Sequence, residues 1–335
     1  MQANNSKILL LHADDYGMAP GVGKAIRALI AEGRLSGTSA MTVFQNWPED
    51  AKRLQPYLGS VDVGLHFTLT DQPPLADWSA YTSSSRLPSF AQIIRLICSG
   101  RLPRHVVREE FGRQIDSFTK AFGSLPAYID GHHHVHQLPV IREIVVRSVS
   151  AIQGSNPIFV RNCYVRPKLA LQRGITPLKA IGLAVPGRGM VTWLKRYGLR
   201  TNSDFSGVYD LSGKASYSRL FQRFLVGANS GHLIMCHPGH VDEVLSKVDS
   251  FTKPRSAEYE YFAGGQFPEL LRQHGFRIGR IRDLRAKGTE NEISHRHKVK
   301  DKIDESVNSS PTNELNPISS ARSHKQTIAR VKLTP

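Results

Sequence analysis

Asp130-Gly131-His132-His133-His134-Val135-His136 places four histidines within five positions, directly behind an aspartate. Neutral imidazole is the commonest protein ligand for metals. The run is therefore read as a source of one or two ligands to a divalent ion. A polar loop whose histidines make only local hydrogen bonds is the competing reading. Asp14-Asp15-Tyr16-Gly17 sets two carboxylates side by side. One can bind an ion while the other accepts a proton, although Asp and Gly also favour a plain turn and helix entry. His66 closes an apolar run, and His237 opens His237-Pro238-Gly239-His240. Each is alone compatible with a structural role. One Asp and two His with open positions suit Zn²⁺, Mn²⁺, Fe²⁺, Co²⁺ or Ni²⁺. Such an ion acidifies water and polarises a carbonyl, and a histidine opposite it suits a general acid that protonates a leaving amine. Arg161 can pair with Asp14 or Asp15, and an ordinary structural salt bridge explains it equally well.

These residues need elements that bring them together. Apolar runs at 7–13, 37–44, 61–69, 127–130, 157–160, 231–236 and 276–279 read as strands. Helical patterns stand between them, at 22–32, 48–55, 89–99, 103–122, 138–152, 168–200, 216–226 and 256–274. The clearest, 103–122, repeats Val107, Phe111, Ile115, Phe118 and Phe122 at three- and four-residue spacing. The 168–200 pattern is expected to break at Pro186-Gly187, and the loop 201–213 to hold a short strand at 207–209. The loops 70–88 and 201–213 are expected to shape a cleft. Strict alternation predicts a parallel sheet with helical cover. Seven or eight such units suit an α/β fold of the single (β/α) barrel type, seven-stranded or distorted. Asp14, Asp15, His66, His132, Arg161 and His237 each fall at the C-terminal end of a predicted strand. In a barrel those ends converge on one face, so sequence distance is no obstacle to a shared site.

Composition sets the outer bounds. The 335 residues are 40% hydrophobic and 21% charged, which suits one large domain over 1–286. Beyond it aromatic residues vanish and Ser, Asn, Lys, Glu and Thr dominate, so 287–335 is predicted to be a disordered tail. Cys98, Cys163 and Cys236 form no CxxC pair, which argues against thiolate zinc and for a reducing, cytoplasmic setting. No signal peptide and no transmembrane helix are expected. The net charge of +16 admits an anionic partner. The Lys and Arg residues are spread along the chain without a known nucleic-acid motif, so nucleic acid is not expected as the main partner.

Taken together, His12-Ala13-Asp14-Asp15-Tyr16-Gly17, Val63-Gly64-Leu65-His66-Phe67-Thr68-Leu69-Thr70, the histidine run and Cys236-His237-Pro238-Gly239 resemble the YdjC-like carbohydrate deacetylases, the family of chitooligosaccharide and hopanoid-associated deacetylases. The resemblance covers about residues 7 to 284. It implies a β/α barrel related to polysaccharide deacetylases and hydrolysis of N-acetyl groups on a small N-acetylated sugar or oligosaccharide. By motif position it implies a divalent metal ion, Mg²⁺ or Zn²⁺, on Asp15, His66 and His132. It also implies Asp14 as general base, His237 as general acid and Arg161 as a residue orienting Asp14. His133, His134 and His136 then become supporting or structural. Gly131 and Tyr16 depart mildly from the usual pattern, and the full histidine run places the chain nearer the chitooligosaccharide branch. Two alternatives stay open: a glycoside hydrolase on the same barrel, and a non-catalytic sugar- or metal-binding module. The sequence also leaves a homodimer open.

Overall fold

The computed structural model describes residues 6–287, apart from 83, 155, 156, 213 and 214. After Lys287 the expected tail lies outside the described residues. Eight parallel strands are wrapped by eleven α-helices among these residues. The strands are β1 (Lys7–Tyr16), β2 (Gly37–Ala40), β3 (Asp62–Phe67), β4 (Tyr128–Gly131), β5 (Phe159–Val160), β6 (Asp204–Ser206), β7 (His232–Cys236) and β8 (Phe276–Ile278). The helices are α1 (Pro20–Ala31), α2 (Trp47–Leu54), α3 (Phe90–Cys98), α4 (Arg104–Phe122), α5 (Ile141–Ile152), α6 (Pro167–Arg173), α7 (Pro177–Arg196), α8 (Tyr217–Phe224), α9 (Glu243–Val248), α10 (Thr252–Ala263) and α11 (Gln266–Gln273).

The strand order is β5-β4-β3-β2-β1-β7-β6, and β8 also pairs with β1. On β1, Leu9 accepts from Gly279 and Leu11 from Ser36, whereas Ile8 accepts from Gly231. Alternate residues of a strand bond to opposite sides, so β8 and β2 share one edge of β1 and β7 takes the other. The ladder is interrupted between β5 and β6. There Val160 N–H donates to the Arg200 carbonyl at 2.9 Å. Asn202 accepts from the Asn162 backbone at 2.9 Å and donates to the Asn162 carbonyl at 2.9 Å. The result is the distorted seven-strand barrel expected from the alternation, with an eighth strand added at β1.

Side-chain alternation divides the core in two. Leu9, Leu11 and Ala13 of β1 pack outward with Leu65, Ile129, Val160 and Ile234 beneath the helices. Ile8 and Leu10 point inward with Tyr128, Phe159, Phe205, Leu233 and Met235. The inward column continues through His12, whose ring lies 4.4 Å from that of Tyr128. Gly37 leaves room for it, since a Cβ there would come within 2.8 Å of the His12 ring. The amphipathic α4 buries Val107, Phe111, Ile115 and Phe118 as its spacing predicts.

Three local expectations change. α7 runs unbroken through Pro186, and the break falls earlier, where Gly174 caps α6 at φ 63° and Pro177 starts α7. The short strand of the 201–213 loop is Asp204–Ser206, not 207–209. Gly207 sits at φ 110°, outside strand geometry. The helical span 256–274 is split at Gly264-Gly265 into α10 and α11. No helix among the described residues is long and apolar enough to cross a membrane.

Candidate metal centre and active site

The inward columns end in the unusual residues. Asp14 follows Ile8, Leu10 and His12 on β1. His66 follows Gly64 on β3, Asp130 follows Tyr128 on β4, and Arg161 follows Phe159 past β5. Strict alternation would turn Asp15 outward. Its backbone instead adopts φ 68°, and the β1–β2 register shifts between Ala13 and Tyr16. This left-handed residue, strained for a side chain with a Cβ, brings both adjacent carboxylates to the same centre.

Asp15 Oδ1 lies 3.2 Å from His66 Nε2 and 3.3 Å from His132 Nδ1. The three donors lie within 4.8 Å of one another. One carboxylate and two imidazoles so arranged fit a divalent cation. His66 Nδ1 is held by Asp130 Oδ1 at 2.8 Å, and Ser39 donates to Asp130 Oδ2 at 2.9 Å. A carboxylate behind a histidine fixes the ring and its tautomer for metal binding. Burial alone would lower the His66 pKa, but Asp130, with hydrogen bonds to Asp130 and Asp15, raises it to about 10. A cation bound at these donors competes with that proton.

Two arginines complete the charge pattern. Arg161 is fully buried and donates to both oxygens of Asp14, at 2.7 and 2.6 Å, and lies 2.6 Å from Asp130 Oδ2. Burial raises the Asp14 carboxyl, but the Arg161 charge and hydrogen bond outweigh it and hold Asp14 well below the usual carboxylate range. Arg255 of α10 donates to Asp15 Oδ2 at 2.6 Å and to Asp249 at 2.6 Å. Asp15 is likewise held low, against burial, by Arg255 and by hydrogen bonds from His132 and His66. Asp14, His66 and Asp130 form a second compact donor group. Both oxygens of Asp14 and both of Asp130 are engaged by Arg161, Ser39 or His66, whereas Asp15 gives only Oδ2 to Arg255 and turns Oδ1 to the two imidazoles, so the Asp15 group is the better cation site.

The centre opens into a cavity of about 1150 Å³, lined also by His237, Tyr209, Glu258 and residues of α3 and α7. Both loops expected to shape a cleft reach it, through Asp71 and Gln72 and through Gly207 to Tyr209. Glu258 is fully buried, accepts from Tyr209 Oη at 2.6 Å and from the His237 backbone N–H, and so anchors the His237 turn.

The histidine run divides by function. His132 joins the centre, while His133 and His134 take φ 52° and 57° and turn the chain over it. His133 contacts Thr70 Oγ1 at 2.9 Å on the cavity wall. His134 lies against Cys163 and the edge of Phe205. His136 is buried, with Nε2 donating to the Arg161 carbonyl at 3.0 Å. Burial lowers the His136 pKa to about 4 and that of His12 to about 3. Both histidines have folded values below 6.5, so the unfolded chain takes up their protons first as pH falls. The stability they contribute is full above about pH 6.5 and is lost on acidification toward pH 4 and 3. Urea titrations are expected to show a loss of up to about 1.4 kcal/mol per pH unit for each histidine across that window. A flat unfolding free energy from pH 7 to 5 would contradict the burial of neutral rings.

The family model described as YdjC-like protein matches residues 8–273, most of the chain and every strand of the site. The chain belongs to the YdjC-like protein family. Two similar relatives are named chitooligosaccharide deacetylase. One, from Enterobacter sp. (strain 638), is 27% identical over 278 residues, covering 83% of this chain and 99% of its own. The other, from Salmonella typhimurium, is 27% identical over 289 residues, with 83% and 99% covered. A crystal structure of an Enterococcus faecalis V583 protein named for cellobiose-phosphate cleavage shares the fold at TM-score 0.63 and 20% identity, covering 83% of this chain and 99% of its own.

In this YdjC-like chain the structure brings together Asp14, Asp15, His66, His132 and Arg161, and places His237 on the same cavity. Sequence reasoning gave no role to Asp130, Ser39, Arg255 or Glu258. Asp130 stood inside the histidine motif, on the inward column, and alternation could have found it. Arg255 lies 240 positions from Asp15 on a helix without a motif, and no local pattern marks it.

Proposed function

We propose that the protein is a metal-dependent carbohydrate deacetylase that removes the N-acetyl group from a small amino sugar or oligosaccharide. The observation that carries this reading is the Asp15–His66–His132 donor set, with the Asp14–Arg161 pair beside it, at the base of a cavity that also holds His237. The relatives' names agree with it. Asp15, His66 and His132 would hold the ion. Two imidazole donors favour Zn²⁺ or another transition metal over Mg²⁺, which prefers oxygen. When bound, the ion supplies Lewis-acid polarisation and makes water a better nucleophile at neutral pH.

The chain's own groups supply the proton movements. Arg161 keeps Asp14 ionised and oriented, so Asp14 can accept the proton that water loses as its oxygen bonds to the acetamide carbon. His237 gives its proton to the sugar nitrogen as the C–N bond breaks, and acetate and a free amine leave. Asp130 and Ser39 fix His66, while Glu258 and Tyr209 hold the turn that presents His237.

Acetate release from N-acetylglucosamine oligomers tests the reading. Dialysis against a chelator is expected to abolish release, and Zn²⁺ or Co²⁺ to restore it. Calorimetry should show one Zn²⁺ site in the native protein and none in Asp15→Ala. Full activity in metal-free protein would remove the metal from the mechanism. Shortened oligomers without acetate would assign the cavity to a glycoside hydrolase.

A further inference from the structure

The cations are spread along the chain, but the acids are not. Between Glu143 and Asp204, sixty consecutive residues contain no Asp or Glu and ten Lys or Arg. This stretch alone accounts for ten of the sixteen net positive charges, whereas 288–335 holds eight cations against six acids. Some of the ten are used internally. Arg161 pairs with Asp14 and Asp130, Arg173 with Asp204, and Arg147 with Glu143. Arg166, Lys168, Arg188 and Lys195 are exposed and form no ion pair among the described residues.

Half of this stretch folds as α6 and α7, which pack on each other through Leu169, Ala170 and Ala184. Where they meet water they present three large apolar side chains among the cations. Leu178 is 85% exposed, Val185 71% and Leu171 61%, the three highest values for large hydrophobics among the described residues. On α7, positions 178, 182, 185 and 189 follow three- and four-residue steps and so form one ridge. The ridge reaches the site, because Gly182, Val185 and Gly189 also line the cavity. Phe90 and Phe251, 39% and 45% exposed, line the same cavity from other segments.

Three exposed aliphatic side chains beside cations that form no ion pair among the described residues match the amphipathic face of helices lying on a charged membrane surface. We infer that the α6–α7 face docks the protein onto an anionic lipid bilayer, with the cavity mouth at the lipid surface. Charge complementarity selects this occupant. A nucleic acid would use the cations but leave Leu171, Leu178 and Val185 without a partner. A second copy joined by a two-fold axis would set two cation-bearing α6–α7 segments against each other, with no acid in either segment to pair them. The inference does not rest on the deacetylase reading.

Sedimentation of the full-length chain with vesicles tests it. Partition onto phosphatidylcholine containing about 30% phosphatidylglycerol should exceed that onto pure phosphatidylcholine by roughly tenfold in low salt and fall as salt rises. Lys168→Glu/Arg188→Glu should lose about tenfold of that partition. Leu171→Ser/Leu178→Ser should lose roughly fivefold and keep the salt dependence. None of these four residues lines the cavity, so acetate release from a soluble substrate and the thermal midpoint should stay at native values, which separates docking from catalysis and folding. Equal partition onto both vesicle types, or native-like binding by both variants, would overturn the inference. So would an oligonucleotide that binds with charge-variant sensitivity while vesicles do not bind, or a dimer in solution that Leu178→Ser dissociates.

Discussion

Asp14→Asn is expected to lower the turnover of acetate release by about 10²- to 10⁴-fold, the range of a lost general base, while Zn²⁺ affinity stays within a few-fold of native. Two features of the geometry separate the effects. Asp14 is not one of the three Asp15, His66 and His132 donors, so the ion loses no ligand. The amide keeps the volume of the carboxylate and one oxygen that can accept from Arg161, but it cannot take up a proton at catalytic pH. Asp15→Asn is the control. It faces His66 and His132 at 3.2 and 3.3 Å and should lose ion affinity and turnover together. Turnover of Asp14→Asn within threefold of native would remove the base assignment. A parallel fall in Zn²⁺ affinity would instead move the ion toward the second donor group, Asp14, His66 and Asp130.

The placement of the site was readable because a strand repeats every two residues. Ile8, Leu10, His12 and Asp14 share one face of β1, and Gly64 and His66 share one face of β3. Tyr128 and Asp130 do so on β4, and Phe159 and Arg161 at β5. Apolar members of these columns fill the barrel, and the polar member at each C-terminal end enters the site. The exception is Asp15. Its position in the centre depends on φ 68°, a conformation that neighbouring side chains and the β1–β2 register impose and that residue type does not announce. Arg255 was hidden for a different reason. Its salt bridge to Asp15 exists only after α10 packs across the barrel mouth. α7 was misread because the Pro186 rule is local. A proline weakens a helix by removing one donor and crowding the carbonyl four residues back. Packing of Ala184, Gly187, Met190 and Leu194 against the rest of the chain overrides that cost.

Arg161→Met is expected to cost about 3–5 kcal/mol of stability, the range for breaking a buried ion pair from one side, out of a total of about 5–15 kcal/mol. The side chain is fully buried and contacts two carboxylates that are themselves buried, Asp14 and Asp130. Methionine fills much of the volume but takes from Asp14 its paired cation and leaves Asp130 with His66 alone. A thermal midpoint lower by roughly 6–15 °C should follow for a chain of this size. Arg161→Lys tests the claim if Met prevents folding. Its single ammonium cannot reproduce a planar fork spanning two acids, so it should fall between native and Met. Adding Asp130→Asn to Arg161→Met removes one of the two buried anions and should recover part of the loss, whereas independent packing effects would simply add. A Met variant within about 1 kcal/mol of native would show that the two acids share the interior without the arginine, as protonated groups. In that case the buried pair would contribute little net stability, and Arg161 would act on Asp14 through its protonation state and orientation alone.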